Sequence, residues 1–199
     1  MKSLIVYSSQ TGNTRKIAQC IHDGMVTGGV ENELKPVAEV NSNRLADYDL
    51  IGIGAPVFYY KEPFNVRDFL QSLPLLNGQH WFVFCTHANV IGNYFPSVAE
   101  KLNGKGAKVI GYHNSYANLT VPYYPKPSYT SGHPDDQDFE RAINFGRTIV
   151  EKSIRIRQKE DADLPAPLPV SSDEWIKMSG QITEDSLSDR KGTSIGLLL

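Results

Sequence analysis

The sequence has few cysteines and no long apolar segment. Only Cys20 and Cys85 occur in 199 residues, far apart and outside any C-x-x-C pair. This spacing argues against a disulfide framework, a zinc knuckle or an iron–sulfur cluster, and we expect two buried thiols and no metal site. No apolar run approaches the roughly 18 residues of a membrane span, and no cationic apolar leader opens the chain. We therefore expect no membrane span and a cytoplasmic location.

Basic clusters are also missing, although the net charge of -2 is unevenly spread. Up to Gln158 there are 16 basic and 14 acidic residues, whereas from Lys159 onward there are 4 basic and 8 acidic residues. The body is thus close to neutral and the tail is acidic. Neither part carries the basic stripe that nucleic acid binding requires, so nucleic acid is not an expected partner.

What the chain does contain is an alternation of strand and helix patterns. Ile17, Ile21 and Met25 recur at fourfold spacing on one face of a helix that ends at Gly28. Five apolar or weakly apolar segments predict strands: LIVY at 4–7, ENELKPVAEV at 31–40, YDLIGIGAPV at 48–57, WFVFCTH at 81–87 and AKVIGYH at 107–113. Helix patterns separate or follow them, the last at 138–154. This alternation predicts an α/β fold with a doubly wound, five-stranded parallel sheet.

Two stretches fall outside this alternation. Residues 114–136 form a long segment rich in tyrosine and proline, a candidate lid. From 159 onward the chain is rich in proline, serine and acidic residues, with Trp175 as the main candidate anchor. We therefore predict one domain over 1–158 and a linker with a partly ordered tail over 159–199.

The loop after the first strand is unusually polar. A strand that enters a helix through a tight polar loop directs unpaired helix N–H groups and the positive end of the helix dipole at one point, which suits an anion. The loop contains no lysine, unlike the Walker A loop, so a terminal monophosphate fits better than a triphosphate. The alternative is a helix that these side chains merely cap. The candidate phosphate ligands are Ser9, Gln10, Thr11, Gly12, Asn13 and Thr14.

The pattern S-x-T-G-x-T at 9–14, directly after the first strand, resembles the phosphate loop of flavodoxins, which bind FMN non-covalently. The resemblance extends over the alternating segments from Met1 to about Gln158. It implies a flavodoxin-like sheet with strand order 2-1-3-4-5, for which flavodoxin is itself the reference example, and FMN at the switch point between the first and third strands.

The resemblance also assigns two further loops to the flavin ring. The loop after the third strand would stack apolar and aromatic groups on the ring, unless these residues simply close the sheet edge; its residues are Pro56, Val57, Phe58, Tyr59 and Tyr60. The loop after the fourth strand would meet the pyrimidine edge; its residues are Thr86, His87, Ala88, Asn89, Gly92, Asn93 and Tyr94. We expect Tyr59 or Tyr60, together with Tyr94, to contact the ring.

Two motifs in these loops need separate interpretation. His87 is the candidate catalytic residue, since an imidazole there could exchange a proton near reduced flavin, although a histidine at a strand end is more often only a hydrogen-bonded structural residue. GIGAPV at 52–57 begins like the dinucleotide fingerprint G-x-G-x-x-G. Val57 replaces the third glycine and Pro56 blocks the helix entry, so we reject that motif.

Three functions are compatible with the sequence. The first is an electron-transfer protein or redox module whose partners are redox proteins such as iron–sulfur proteins or a reductase. The second is an FMN-dependent NAD(P)H:quinone-type reductase, and the third is a flavin-free binding protein on the same fold. The near-neutral body departs from the acidic character of flavodoxins, which weakens the interpretation as a free electron carrier. The loops are similar to those of flavodoxin modules joined to ferredoxin-like domains. We favour electron transfer over a dedicated oxidoreductase.

Overall fold

The sheet is parallel and has five strands. The computed structural model describes residues 1–88, 90–120, 126–128, 130–160 and 162–165. The strands are β1 (Lys2–Tyr7), β2 (Glu31–Pro36), β3 (Leu50–Pro56), β4 (His80–His87) and β5 (Lys108–Tyr116). They pair in the order β2-β1-β3-β4-β5, every pair parallel. The predicted fold class and strand order are confirmed.

In the part of the chain that the structure describes, four α-helices cover the two faces of the sheet. They are α1 (Asn13–Thr27), α2 (Phe64–Ser72), α3 (Tyr94–Gly104) and α4 (Asp136–Arg157), and two short 3₁₀ helices span Val37–Glu39 and Ser42–Asp47. The apolar faces of α1 and α4 share one core cluster, and those of α2 and α3 share the other. The central strands β1, β3 and β4 lie between these clusters, which explains their nearly continuous apolar character.

The two glycines of the GIG motif make room for aromatic rings. Gly52 pairs with Phe82 and Gly54 pairs with Phe84 on β4. A Cβ atom built on Gly52 would lie 2.1 Å from Cζ of Phe82, and one on Gly54 would lie 2.2 Å from Cζ of Phe84. These glycines therefore serve core packing, in agreement with the rejection of a dinucleotide fingerprint.

Helices α1 and α4 cross in backbone contact. A Cβ on Gly24 would lie 2.1 Å from the carbonyl oxygen of Ile143, and one on Gly146 would lie 2.2 Å from that of Ile21. Since no side chain fits between the helices at this point, both glycines are required for the approach. The contact fixes α1, whose first turn borders the predicted phosphate loop.

Some boundaries differ from the sequence prediction. Strand β2 ends at Pro36 rather than 40, because the chain turns into a 3₁₀ helix. Strand β5 continues to Tyr116, three residues into the predicted 114–136 loop, because it stays paired with β4 as far as His87. Residues 121–125 and 129 of that loop, and the tail from 166 onward with Trp175, lie outside the described residues. In the described part of the chain, no helix is both long and apolar enough to cross a membrane.

Candidate functional site

The three predicted loops meet at one edge of the sheet. Strands β1, β3 and β4 are neighbours, so their carboxyl ends lie side by side. Asn65 donates from Nδ2 to Ser8 Oγ at 3.0 Å, which joins the loop after β1 to the first turn of α2. The backbone N–H of Asn93 donates to the carbonyl oxygen of Tyr60 at 2.8 Å, which joins the loops after β3 and β4. This edge is the topological switch point of the sheet, where open α/β folds bind ligands.

The loop after β1 ends in an open helix start. Gly12 precedes α1 with φ +92°, and a Cβ at Gly12 would have no atom within 4 Å. Ser9 Oγ accepts from the N–H of Gly12 at 3.2 Å. No described side chain caps α1, and its first turn has no acidic residue. By contrast, α4 begins with a capping box formed by Asp135 and Asp138. The capped-helix alternative is therefore not supported at α1, where free N–H groups suit an anion.

The remaining residues of this loop divide into exposed and buried groups. Gln10 and Thr11 are exposed, whereas Thr14 is 2% exposed. The hydroxyls of Thr14 and Thr86 lie 2.8 Å apart, a pairing between α1 and β4 that the sequence did not indicate. One hydroxyl of such a pair donates to the other, which leaves the second proton available to a further acceptor.

The loop after β3 is a tight turn with two tyrosines in left-handed conformation. Phe58 and Lys61 exchange two backbone hydrogen bonds of 2.9 and 3.0 Å. Between them Tyr59 has φ +47° and Tyr60 has φ +66°. Such angles are costly for bulky residues, by about 1–2 kcal/mol each. A Cβ at Gly92 would lie 2.4 Å from that of Tyr60, so the loop after β4 packs directly against the turn.

This turn carries exposed aromatic surface. Phe58 is 39% exposed and Tyr59 is 52% exposed. The alternative that all of these aromatics close the sheet edge does not hold for these two side chains. Pro56 and Val57 are half-buried beside them.

The end of β4 and the loop after it contain two buried acceptor atoms that no described donor bonds. His87 is 7% exposed, and its Nε2 lies 3.1 Å from Asn114 Oδ1, so Nε2 carries the proton in this pairing. Among the described residues no group bonds His87 Nδ1 or Asn93 Oδ1. Burial lowers the pKa of His87 by more than the hydrogen bond with Asn114 and the charge of Asp138 raise it. The lowered pKa favours the neutral ring, which has a free acceptor at Nδ1.

One prediction for this loop is wrong. Tyr94 is fully buried in the core on the α2 and α3 face, and its hydroxyl donates to the carbonyl oxygen of Phe84 at 3.1 Å. Its ring therefore cannot stack on a ligand at the sheet edge. Tyr94 is the first residue of α3, and the inward face of that helix takes its side chain. Asn89 lies outside the described residues, and Ala88 is half-buried.

Sequence reasoning missed a buried carboxylate below the aromatic turn. Glu62 is 2% exposed and forms ion pairs with Lys101 Nζ at 3.0 Å and with Arg67 Nε at 3.5 Å. These pairs hold the turn against α2 and α3. No local pattern marked this residue, because Glu62 stands between Lys61 and Pro63 in YYKEPF and its partners Arg67 and Lys101 come beside it only in the folded chain.

A second cluster of ionisable groups lies at the start of α4. One ligand atom from each of His133, Asp135 and Asp138 lies within 4.8 Å of the others. The two carboxylates already form the capping box, and Asp138 also bonds His133 and Arg141. These contacts account for the cluster without a metal ion.

Comparison with known proteins agrees with this geometry. A family model described as the flavodoxin domain matches residues 4–108, more than half of the chain. The chain belongs to the flavodoxin family. Flavodoxins bind FMN, and FMN is the cofactor of this domain.

Individual relatives cover most of the described domain. A flavodoxin from Clostridium beijerinckii is 24% identical over 148 residues, 73% of this chain and 96% of the relative. An NAD(P)H dehydrogenase (quinone) from Rhizobium rhizogenes is 22% identical over 190 residues, 83% of this chain and 90% of the relative. Among solved structures, an archaeal flavodoxin superposes with a TM-score of 0.62 and 24% identity, over 77% of this chain and 99% of that one. A flavodiiron protein from Giardia intestinalis has a TM-score of 0.60 and 19% identity, over 79% of this chain and 37% of that one.

The residues at the edge fit FMN chemically. The open start of α1 offers N–H groups to a phosphate, and the turn after β3 offers flat aromatic surface. His87 Nδ1 and Asn93 Oδ1 are buried acceptors that lack donors, and the pyrimidine edge of a flavin carries an N–H donor.

Proposed function

We propose that this flavodoxin domain transfers electrons between redox proteins through FMN held at the edge formed by the loops after β1, β3 and β4. The observation that carries the proposal is the exposed aromatic turn, because Phe58 and Tyr59 offer flat surface to a flavin ring at the edge where the three loops meet. Bound FMN supplies one- and two-electron redox chemistry, and the protein supplies binding, orientation and electrostatics.

Each loop has a distinct proposed role. The segment 9–14 binds the phosphate through backbone N–H groups and the hydroxyls of Ser9 and Thr11. The segment 56–60 packs against the isoalloxazine ring and excludes water from one side. The segment 86–93 orients the pyrimidine edge, with His87 as a neutral acceptor at Nδ1 whose tautomer Asn114 fixes.

A reductase is the second candidate function. The quinone dehydrogenase relative supports this function, since the similarity spans 90% of the length of that relative. A reductase would oxidise NAD(P)H and reduce a small quinone without a protein partner, whereas an electron-transfer domain needs a second redox protein.

One set of measurements separates these functions. The visible spectrum of the purified protein reports bound flavin, and a colourless protein that binds no added FMN would support the flavin-free alternative. The FMN-loaded protein is then mixed with NADH, NADPH and benzoquinone without a partner protein. Electron transfer predicts negligible turnover with these small molecules, and rapid NAD(P)H oxidation would favour the reductase.

The domain boundary at 158 is part of the same proposal. The sheet, the four helices and all three loops lie before that residue, since α4 ends at Arg157. We expect a chain truncated after Gln158 to bind FMN within about threefold of the full-length affinity, because the proline-rich segment separates the tail from the domain. Loss of FMN binding in the truncated chain would show that the tail packs into the site.

A further inference from the structure

The aromatic turn between β3 and α2 is tied to its surroundings at three points. Before the turn, the N–H of Val57 donates to the carbonyl oxygen of Thr86 at 2.9 Å. Within the turn, the carbonyl oxygen of Tyr60 accepts from the N–H of Asn93 at 2.8 Å. After the turn, the tie is a side chain, the carboxylate of Glu62. The first two ties lead to the end of β4 and the loop after it, whereas the third leads to α2 and α3.

Two residues of the turn have a backbone conformation that requires such support. Tyr59 has φ +47° and Tyr60 has φ +66°. Bulky residues persist in the left-handed region only where surrounding contacts over-determine the conformation. The side chain of Tyr59 is 52% exposed, so its own packing contributes little. Much of the support therefore comes from the contacts at the two ends of the turn.

Glu62 ties the end of the turn through its charge. Its buried carboxylate lies 3.0 Å from Lys101 Nζ and 3.5 Å from Arg67 Nε, and neither of its oxygens accepts a well-aligned hydrogen bond from a described group. Both cations are held by their own helices. The ammonium of Lys101 donates to the carbonyl oxygen and Oγ of Ser97 at 3.2 and 2.8 Å, and the guanidinium of Arg67 lies 5.0 Å from the ring centroid of Phe64. Ionic attraction thus joins the turn to a fixed support.

The charge of this cluster matters for position. A buried carboxylate is unfavourable unless cations compensate it, so Glu62 cannot move away from Lys101 and Arg67 without separating opposite charges in a poorly solvated place. Stability alone does not need such a pair, because apolar side chains of similar volume often replace a buried ion pair at no loss of stability. A buried ion pair directly after a strained turn therefore favours a role in holding the turn in place.

We propose that Glu62 and Lys101 are positioning residues for the flavin ring. Their ion pair fixes the end of the aromatic turn relative to α3, and the bond from Asn93 to Tyr60 extends the same constraint to the loop after β4. Both loops assigned to the ring are then in place before FMN binds, so binding does not have to order them. The role toward the flavin rests on the proposed function, whereas the effect on the turn is a property of the apo-protein.

Two measurements on the full-length chain test the proposal. Amide hydrogen exchange in the apo-protein, resolved by NMR, reports on the bonded N–H groups of Phe58, Lys61 and Asn93. Fluorescence titration of the apo-protein gives the affinities for FMN and riboflavin. The variants are Glu62→Gln, which removes the negative charge at nearly constant size, Lys101→Met, which removes the ammonium, and Lys101→Arg, which keeps a cation. The side chain of Lys101 is 25% exposed, so Lys101→Met carries the test if Glu62→Gln does not fold.

A control variant separates position from stability. Ser153→Ala removes a buried hydroxyl that lies 2.9 Å from His80 Nδ1. His80 is the first residue of β4, at the opposite edge of the sheet from the site. This variant should lose stability without a change at the turn. Urea denaturation of every variant allows affinities to be compared at a known loss of stability.

The expected result is local and depends on charge. Glu62→Gln and Lys101→Met should speed exchange at the three amides by about tenfold or more in the apo-protein. Both should weaken FMN and riboflavin by the same factor, about tenfold, because the phosphate loop is unchanged. Lys101→Arg should stay within about threefold of the wild type, and Ser153→Ala within about twofold, in exchange and in both affinities.

Several outcomes would overturn the proposal. These are unchanged exchange at the turn in both charge-removing variants, a loss of affinity in Ser153→Ala equal to that in Glu62→Gln, or weaker binding of FMN alone. Wild-type apo-protein that binds neither flavin would contradict the proposed function and with it the role toward the ring. The exchange rates would still decide whether the ion pair fixes the turn, so the two failures are distinguishable.

Discussion

The phosphate loop gives the sharpest test of the site. FMN and riboflavin differ only by the phosphate, which the open start of α1 is proposed to bind. Two to three charge-assisted hydrogen bonds of about 1.5–3 kcal/mol each, with the upper end reduced for desolvation, correspond to about 3–6 kcal/mol, or a factor of about 10²–10⁴ in affinity. Quenching of flavin fluorescence on titration into the apo-protein measures both constants. Equal affinity for FMN and riboflavin would refute the phosphate assignment.

Single substitutions in the loop should separate affinity from stability. Thr11 is exposed, so Thr11→Ala should weaken FMN by about 1–3 kcal/mol while riboflavin binding and apo-protein stability stay unchanged. Thr14→Ala should lower both FMN affinity and the free energy of unfolding, because it leaves the buried hydroxyl of Thr86 without its partner at 2.8 Å. Thr14→Ser keeps the hydroxyl and is the matched control. If Thr11→Ala weakens both flavins equally, its hydroxyl does not act on the phosphate.

Three further predictions concern the scaffold around the site. Gly146→Ala should lower the free energy of unfolding by about 2–3 kcal/mol in urea denaturation, since a Cβ there would lie 2.2 Å from the carbonyl oxygen of Ile21. The control Gly104→Ala, where a Cβ would have no atom within 4 Å, should change the free energy of unfolding by less than about 0.5 kcal/mol. Burial lowers the pKa of His113 from 6.5 to about 4, so the unfolded chain binds the proton first and stability should fall by up to about 3 kcal/mol as the pH drops from 6.5 to 4. His113→Gln should flatten that part of the stability profile, and parallel profiles for the two proteins would contradict the assignment. Tyr59→Gly should stabilise the apo-protein by about 1 kcal/mol through relief of its left-handed conformation, yet brighten the fluorescence of added FMN; unchanged fluorescence would place the ring elsewhere.

Local sequence patterns predicted the fold, which is confirmed, and a candidate site, which stays a prediction. The fourfold spacing of Ile17, Ile21 and Met25 and the apolar runs of β1, β3 and β4 depend only on the periods of helix and strand, which short segments display. The position of segment 9–14 between a strand and a helix predicted an anion site, because the first N–H groups of the helix have no partner within the helix. The sequence also led to the rejection of the dinucleotide motif, and the structure places Gly52, Gly54 and Pro56 inside β3 rather than at a turn from a strand into a helix.

Contacts between distant segments were decided only by the tertiary structure. Tyr94 was predicted to contact the flavin ring because it follows a site loop, but as the first residue of α3 it points into the core. The sequence does not give the residue at which α3 begins, and a shift of one residue rotates each side chain of the helix by about 100°. The pairs Thr14 with Thr86, His87 with Asn114, and Glu62 with Lys101 join segments 27 to 72 residues apart. Local propensity carries no information on such pairs, because they depend on which strands become neighbours and on how closely helices approach, as at Gly24 and Gly146. The strand order placed the three loops at one edge of the sheet. Side-chain packing between the helices and strands then determined which loop residues face that edge and which are buried beneath it.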